Sequence, residues 1–123
     1  MILIGDNFVP YEQISFIANI EQINSTKANS TILFTYDESV LKYAYENELP
    51  SAVIVKSIKD AIYCNNLNVK YIISEKPLAK EIQKIADNYM FDSKNIAIID
   101  SNDEFEEVAI SEIDGIIYRN LIK

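Results

Sequence analysis

Short apolar segments recur along this chain, and segments with helical spacing separate them. The clearest apolar segments centre near residues 33, 53, 72, 98 and 117, and weaker ones lie at 1–4 and 14–18. Neighbouring antiparallel strands need only a few linking residues, whereas neighbouring parallel strands need a longer crossover, usually a helix. The regular alternation therefore predicts a mostly parallel sheet whose strands are joined by helices.

The intervening segments have the apolar periodicity and capping residues of helices. They lie at 19–22, 38–48, 57–66, 77–89 and 101–109. We predict a three-layer α/β fold: an open, mostly parallel sheet of five to seven short strands, flavodoxin-like or Rossmann-like. A β/α-barrel fragment has the same spacing, but this chain has too few units to close an eight-stranded barrel. No linker divides residues 1–123, so we expect a single α/β domain.

The composition excludes several common chemistries. The chain has no histidine, so it has no imidazole base, no Ser-His-Asp triad and no histidine metal ligand. Its one cysteine, Cys64, cannot form an internal disulfide or supply a zinc site, and we expect an inert, partly buried thiol. Gly5 and Gly115 are the only glycines and are far apart, which excludes the glycine-rich loops that bind phosphates.

The formal charge of -8 is concentrated in one segment. Residues 92–114 hold eight acidic side chains and one lysine, while the rest of the chain is nearly neutral. Without a basic patch, neither nucleic acid nor an anionic membrane surface is an expected ligand. The chain begins without a basic leader, and no apolar run is long enough to span a bilayer, so we expect a cytoplasmic protein.

Polar side chains follow the predicted strands, where ligands bind in open parallel sheets. The candidate site consists of Asp6, Asp37, Lys56, Ser57, Glu75, Lys76 and Asp100. The carboxylates of Asp6, Asp37 and Asp100 are the kind of ligand that Mg²⁺ prefers, and Lys56 or Lys76 could pair with a phosphate. The alternative, which we favour, is that these residues cap helices or are solvated, each cap being worth roughly 1 kcal/mol.

One part of the chain resembles a response-regulator receiver domain. The second half of a receiver domain is similar to two stretches of this chain, Ala52–Ser57 and Tyr71–Ile85, the latter containing Lys76-Pro77. The resemblance implies that Asp37 is a phosphoacceptor, Asp6 part of a metal site, Ser57 a switch hydroxyl and Lys76 a phosphate-pairing lysine. The first strand lacks the paired acids of receivers, however, and the chain continues beyond Ile85. We therefore assign no family from the sequence.

The acidic segment also contains a candidate partner surface, formed by Asp103, Glu104, Glu106 and Glu107. Acids in the first turn of a helix interact favourably with its dipole. This interaction explains Asp103 and Glu104 well, but it explains Glu106 and Glu107 less well. Simple solubility is one interpretation, and a protein partner with a basic surface is the other. The eight tyrosines are scattered, and we expect core or interface positions for them.

These observations favour a non-enzymatic module that binds a partner protein or assembles with itself. The apolar residues 116–122 suggest an exposed sheet edge at which two copies could pair. The first alternative is a magnesium-dependent phosphoacceptor at the strand-edge residues. The second is a small-molecule or nucleotide binder at the same edge, which would have to hold phosphate by helix N-termini alone.

Overall fold

The computed structural model describes residues 1–122. Its strands are β1 (Ile2–Ile4), β2 (Ile14–Phe16), β3 (Thr31–Thr35), β4 (Ser51–Ile54), β5 (Tyr71–Glu75), β6 (Lys94–Ile99) and β7 (Gly115–Tyr118). Its α-helices are α1 (Glu38–Glu46), α2 (Ile58–Asn66), α3 (Lys76–Tyr89) and α4 (Phe105–Ile110). Short 3₁₀ helices cover Ile20–Ser25, Asn102–Glu104 and Arg119–Leu121.

The strands form one seven-stranded sheet in which every neighbouring pair is parallel. The predicted α/β architecture is therefore confirmed, with short parallel strands alternating with helices as in flavodoxin-like and Rossmann-like folds. The longest helix, α3, buries Ala79, Ile82 and Ala86, which recur at three- and four-residue spacing. It ends at Met90, which adopts the left-handed conformation with φ 53°.

The strand order is β1-β7-β6-β5-β4-β3-β2. From β2 to β7 each strand lies beside the next one in the chain, so the sheet grows in one direction. Right-handed crossovers then place the connecting helices on the same face. In agreement, side chains of α1, α2 and α3 pack together with alternate residues of β3, β4 and β5 in one buried cluster.

The sheet is curled, and the connection between its two edge strands requires this. In a flat seven-stranded sheet the edge strands would be about 29 Å apart. The connection 5–13 joins β1 to β2 and spans at most roughly 33 Å when fully extended, yet it contains bends at residues 7–9. It must also return from the end of β1 to the start of β2, so curling has to bring the two edges closer.

The inner face of the curled sheet is buried although, within residues 1–122, no α-helix residue belongs to the cluster there. Leu33, Ile73 and Ile96 have no exposed surface and belong to a cluster made almost entirely of strand residues. Leu121 and Ile122 of the C-terminal segment pack against this cluster. The helices therefore cover the outer face of the sheet. The inner face is enclosed by the curled strands themselves and by the C-terminal segment.

One expectation about the surface is wrong. The segment 116–122 was expected to offer an exposed sheet edge, but β7 lies between β1 and β6 and pairs with both. Ile116 and Ile117 are buried, and Leu121 and Ile122 cover the inner face. The free edges belong to β1 and β2. Among residues 1–122, no helix has the length and apolar character needed to cross a membrane.

Candidate functional site

The carboxyl ends of β5, β6 and β7 are tied together by one guanidinium group. Arg119 follows β7, and its Nη1 and Nη2 donate 2.8 Å hydrogen bonds to the two oxygens of Glu75. Its Nε donates another 2.8 Å bond to Asp100. The hydrogen bonds from Arg119 hold the pKa of Glu75 below its usual range, and the charge of Lys56 adds to this. Glu75 and Asp100 thus share one guanidinium, and the positive charge of Lys56 acts on Glu75.

Lys76 forms a second charged group beside the first. Its ammonium group contacts Glu104 and lies 2.7 Å from Glu107, which raises the pKa of Lys76 above its usual range. Glu104 also accepts backbone hydrogen bonds from Asp100 (2.7 Å) and Ser101 (3.0 Å), completing a capping box. Glu104 is therefore a cap and an ion-pair partner of Lys76, as well as a member of the acidic segment.

Asp6 occupies the neighbouring end of β1. Its carboxylate accepts hydrogen bonds from Tyr118 Oη (2.8 Å) and from the backbone N–H of Phe8 (2.7 Å). These bonds, led by the one from Tyr118, lower the pKa of Asp6. Burial, followed by the bond to Asp6, raises the pKa of Tyr118 to about 12. Tyr118 is consequently a neutral hydrogen-bond donor at physiological pH.

Asp37 and Ser57 have a different placement. Asp37 caps α1 by accepting from the backbone N–H groups of Ser39 (2.9 Å) and Val40 (3.1 Å). Ser57 caps α2 by accepting from Asp60 (3.1 Å). These geometries are those of ordinary helix caps. The structure thus links Glu75, Lys76 and Asp100 through Arg119 and Glu104. Asp6 contacts Tyr118 instead, and Asp37 and Ser57 cap separate helices.

An open cleft of about 520 Å³ lies at this edge of the sheet. It is lined by Asn7, Asp100, Tyr118, Arg119 and Asn120. Arg119 uses three of its five N–H groups on Glu75 and Asp100, which leaves two for a ligand. Within residues 1–122, no three acidic or cysteine side chains are grouped so that they could hold a metal ion. Asp6, Asp37 and Asp100 therefore do not form the magnesium site considered above.

Sequence reasoning missed Tyr118 and Arg119. The apolar character of residues 116–122 favours an exposed strand edge, and that interpretation does not point to the polar side chains at the end of the strand. Tyr118 and Arg119 come directly after the apolar residues 116–117, just as Glu75 comes shortly after the apolar residues 71–73. Applied to the seventh strand, the same pattern would have found both residues.

A second polar cluster surrounds Glu12 at the amino ends of β3 and β5. The Glu12 carboxylate accepts hydrogen bonds from Thr31 Oγ1 (2.6 Å), Lys70 Nζ (2.9 Å) and the Tyr71 hydroxyl. Burial alone would raise the pKa of Glu12, but these three donors outweigh it and lower the pKa. The cluster anchors the connection 5–13 to β3 and β5.

Cys64 lies on the buried face of α2 and is part of the core. Its burial raises the pKa of the thiol to about 12, so the reactive thiolate is suppressed. This agrees with the inert thiol expected from the sequence.

The acidic segment is only partly neutralised by its neighbours. Lys76 pairs with Glu104 and Glu107, whereas Asp103 and Glu106 are exposed. Ile110, at the end of the same helix, is 82% exposed.

No protein-family model matches the chain, and a search of curated proteins gives no match.

Proposed function

We propose that this protein is a non-enzymatic module that binds a partner protein with a basic surface. The observation that carries the proposal is the exposed surface of α4 and its preceding turn. Glu106 and Ile110 are four residues apart on one face of α4, and Asp103 is exposed in the turn before it. A surface that combines unneutralised acids with one large exposed apolar side chain suits a partner with basic and apolar groups.

The arrangement of the carboxyl edge supports a binding role over a catalytic one. Glu75 and Asp100 are engaged by Arg119, and Lys76 is engaged by Glu104 and Glu107. A general base or nucleophile has to reach its substrate with a free lone pair. In this network the charged groups neutralise one another and stabilise the strand ends.

Self-assembly through the acidic face is disfavoured by charge. Two copies meeting at this face would bring Asp103 and Glu106 of one molecule towards the same acids of the other. The free edges of β1 and β2 are only three residues long each, which offers little backbone for pairing. A different protein with the opposite charge satisfies this surface better than a second copy does.

The main test compares three forms of the full chain: the wild type, a charge-reversal variant and a control with the same net charge as that variant. The variant Asp103→Lys/Glu106→Lys reverses the exposed acids and leaves the contacts of Lys76 intact. The control Glu21→Lys/Glu81→Lys changes the net charge equally at exposed positions elsewhere. We expect proteins bound by the wild type at low salt to bind the control equally and the variant at least about tenfold more weakly. Ile110→Ser should weaken the same complexes by a smaller factor.

A surface that serves only solubility gives a different result. In that case the variant and the wild type bind the same proteins with the same affinity, and the variant merely precipitates more readily near neutral pH. That outcome would reject the proposal. Direct titration of each captured protein against all three forms distinguishes the two cases.

A second candidate function is the binding of a small polar molecule in the cleft at the carboxyl edge. The observation that favours it is the pair of unused Arg119 N–H groups beside the amides of Asn7 and Asn120. A thermal-shift screen of small anions, sugars and nucleotides tests it, with Arg119→Gln as the comparison. A compound that stabilises only the wild type supports it, and a screen without any stabilising compound argues against it.

A further inference from the structure

Three tyrosines line the groove between α1 and α2. Its volume is about 420 Å³. The lining consists of Tyr36, Leu41, Tyr45, Tyr63 and Leu67, together with Glu38, Lys42 and Glu46. Tyr45 is 46% exposed and Tyr63 is 51% exposed, so both rings are accessible from solvent.

The spacing of residues along the two helices forms this groove. Val40, Leu41 and Ala44 are buried residues of α1 and anchor it on the sheet. Tyr45 follows one position later and is turned away from that buried face. On α2, Ala61 and Cys64 are buried, and Tyr63 lies between them on the more exposed side. Packing the two helices against the sheet thus leaves their tyrosines beside a shared groove.

The charge around the groove is negative. Glu38 and Glu46 line it against the single cation of Lys42. Burial raises the pKa of Tyr36, and the negative charges of Glu38 and Asp60 raise it further. Glu38 and Tyr36 both line the groove, so negative charge lies beside this ring. Aromatic faces attract cations as well, so the walls and the charges favour the same class of ligand.

We propose that this groove binds an arginine side chain presented by a partner peptide. A planar guanidinium can stack on a tyrosine face while its N–H groups pair with a carboxylate. A lysine ammonium is more strongly hydrated and cannot stack in this way. Tyr45 and Tyr63 are about half exposed, so the groove is open to solvent and a peptide backbone can remain outside while one side chain enters.

This site is independent of the acidic face. Contacts through Asp103 and Glu106 involve α4, whereas the groove involves α1 and α2. A reversal of charge on α4 should leave arginine binding unchanged. Failure of either proposal therefore leaves the other intact.

The experiment is an amide NMR titration of the ¹⁵N-labelled full chain with a short Gly/Ser peptide that contains one central arginine. The reference peptide has citrulline in place of arginine, which keeps the shape and removes the charge. We expect shifts at Tyr36, Tyr45 and Tyr63 with the arginine peptide, and at least about fivefold weaker binding of the citrulline peptide. Equal binding of the two peptides would overturn the proposal, and so would the absence of shifts at these tyrosines.

Variants separate the aromatic from the electrostatic contribution. Tyr63→Leu keeps an apolar wall but removes the ring, and Glu46→Gln removes one charge. Each should weaken the arginine peptide about three- to tenfold. The control Tyr89→Leu changes an exposed tyrosine at the end of α3 and should leave binding unchanged. Equal weakening by Tyr89→Leu would contradict the site. Binding of free argininamide as tight as that of the peptide would contradict the peptide partner.

Discussion

Arg119 and Glu75 lie at the ends of strands that are separated by β6, and two parallel hydrogen bonds of 2.8 Å join them. The pair bridges about 10 Å of sheet edge, since neighbouring strands are roughly 4.8 Å apart. Asp100, at the end of β6, accepts a third hydrogen bond from Arg119 within that interval. A single guanidinium thus connects three strand ends.

Replacing Arg119 with Gln should change how Glu75 titrates. The hydrogen bonds from Arg119 lower the pKa of Glu75, and without them we expect it to rise towards the ordinary value. A depressed folded-state pKa stabilises the protein above the unfolded pKa, and this contribution is lost as pH falls through the folded pKa. The wild type should therefore lose more stability than Arg119→Gln as pH falls below roughly 4.3.

Carboxyl NMR titration and urea unfolding at each pH measure the two effects. Both side chains are about half exposed, so the stability difference at neutral pH should stay within about 1 kcal/mol. Lys94→Gln, at an exposed lysine that begins β6, is the matched control. An unchanged Glu75 titration in Arg119→Gln would contradict the role given to this ion pair.

Glu12→Ala should destabilise the attachment of the connection 5–13. The substitution removes the carboxylate that accepts hydrogen bonds from Thr31, Lys70 and the Tyr71 hydroxyl. Tyr71 is buried, with only 6% of its surface exposed. A buried donor that loses its acceptor costs about 1–3 kcal/mol. Urea unfolding measures the loss, with Glu21→Ala as the exposed control. Equal stabilities of the two variants would show that the cluster contributes nothing.

Gly115→Ala should weaken the pairing of β1 with β7. A Cβ atom at residue 115 would lie 2.6 Å from the carbonyl oxygen of Ile2 and 2.9 Å from Cδ1 of Ile96. One of these neighbours is backbone, so relief requires a strand to move, at a cost of roughly 1–3 kcal/mol. Hydrogen exchange at Leu3 and Ile4 should accelerate more than exchange in β4. Uniform acceleration along the sheet would argue for a global effect instead.

Asp6→Asn should lower the pKa of Tyr118 from about 12. Burial is the larger cause of the raised value and remains in the variant, so the pKa should stay above the ordinary tyrosine value near 10. Because the raised pKa favours the neutral phenol, this contribution to stability is present below pH 10 and is lost as pH rises through the folded pKa. Tyrosine ring NMR at alkaline pH measures the shift, and an unchanged pKa would contradict the Asp6 contact.

Local patterns predicted the elements of this fold well. The periodicity of α3 and the apolar runs of β3 to β6 are local signals. Each can be recognised within a window of about twenty residues. The strand order could not be predicted, because it depends on where each crossover places the next strand. The same limit affected β7, whose apolar residues were expected at an edge and instead pack between two neighbours.

The strand-end positions of the candidate residues were predictable, but their contacts were not. Strand ends identified Glu75, Lys76 and Asp100 because parallel strands end at one edge. Their pairing depends on Arg119 and Glu104, which lie on other elements and whose side chains reach them only in the folded protein. Asn95 illustrates the same limit, because nothing in the residues around it reveals that its polar side chain is buried against α3.

Asn95→Asp should make stability depend on pH in a specific direction. Asn95 has no exposed surface, and its Nδ2 donates to the carbonyl oxygen of Ala79 (2.8 Å) and to Gln83 Oε1 (3.0 Å). A carboxylate oxygen at that position would face two acceptors, and Asp114 already accepts from the backbone N–H of residue 95 at 2.9 Å. Burial and the nearby charge should raise the pKa of the new carboxyl in the folded state.

A raised folded-state pKa makes ionisation more costly in the folded chain than in the unfolded one. The penalty relative to the wild type should therefore be about 3 kcal/mol or more at pH 7 and should shrink as pH falls towards roughly 4. Asn66→Asp, at an exposed position of α2, supplies the control and should show little pH dependence. Urea unfolding of the three proteins between neutral and acidic pH measures the difference, and a penalty for Asn95→Asp that stays constant with pH would mean that water reaches the amide cluster beneath α3.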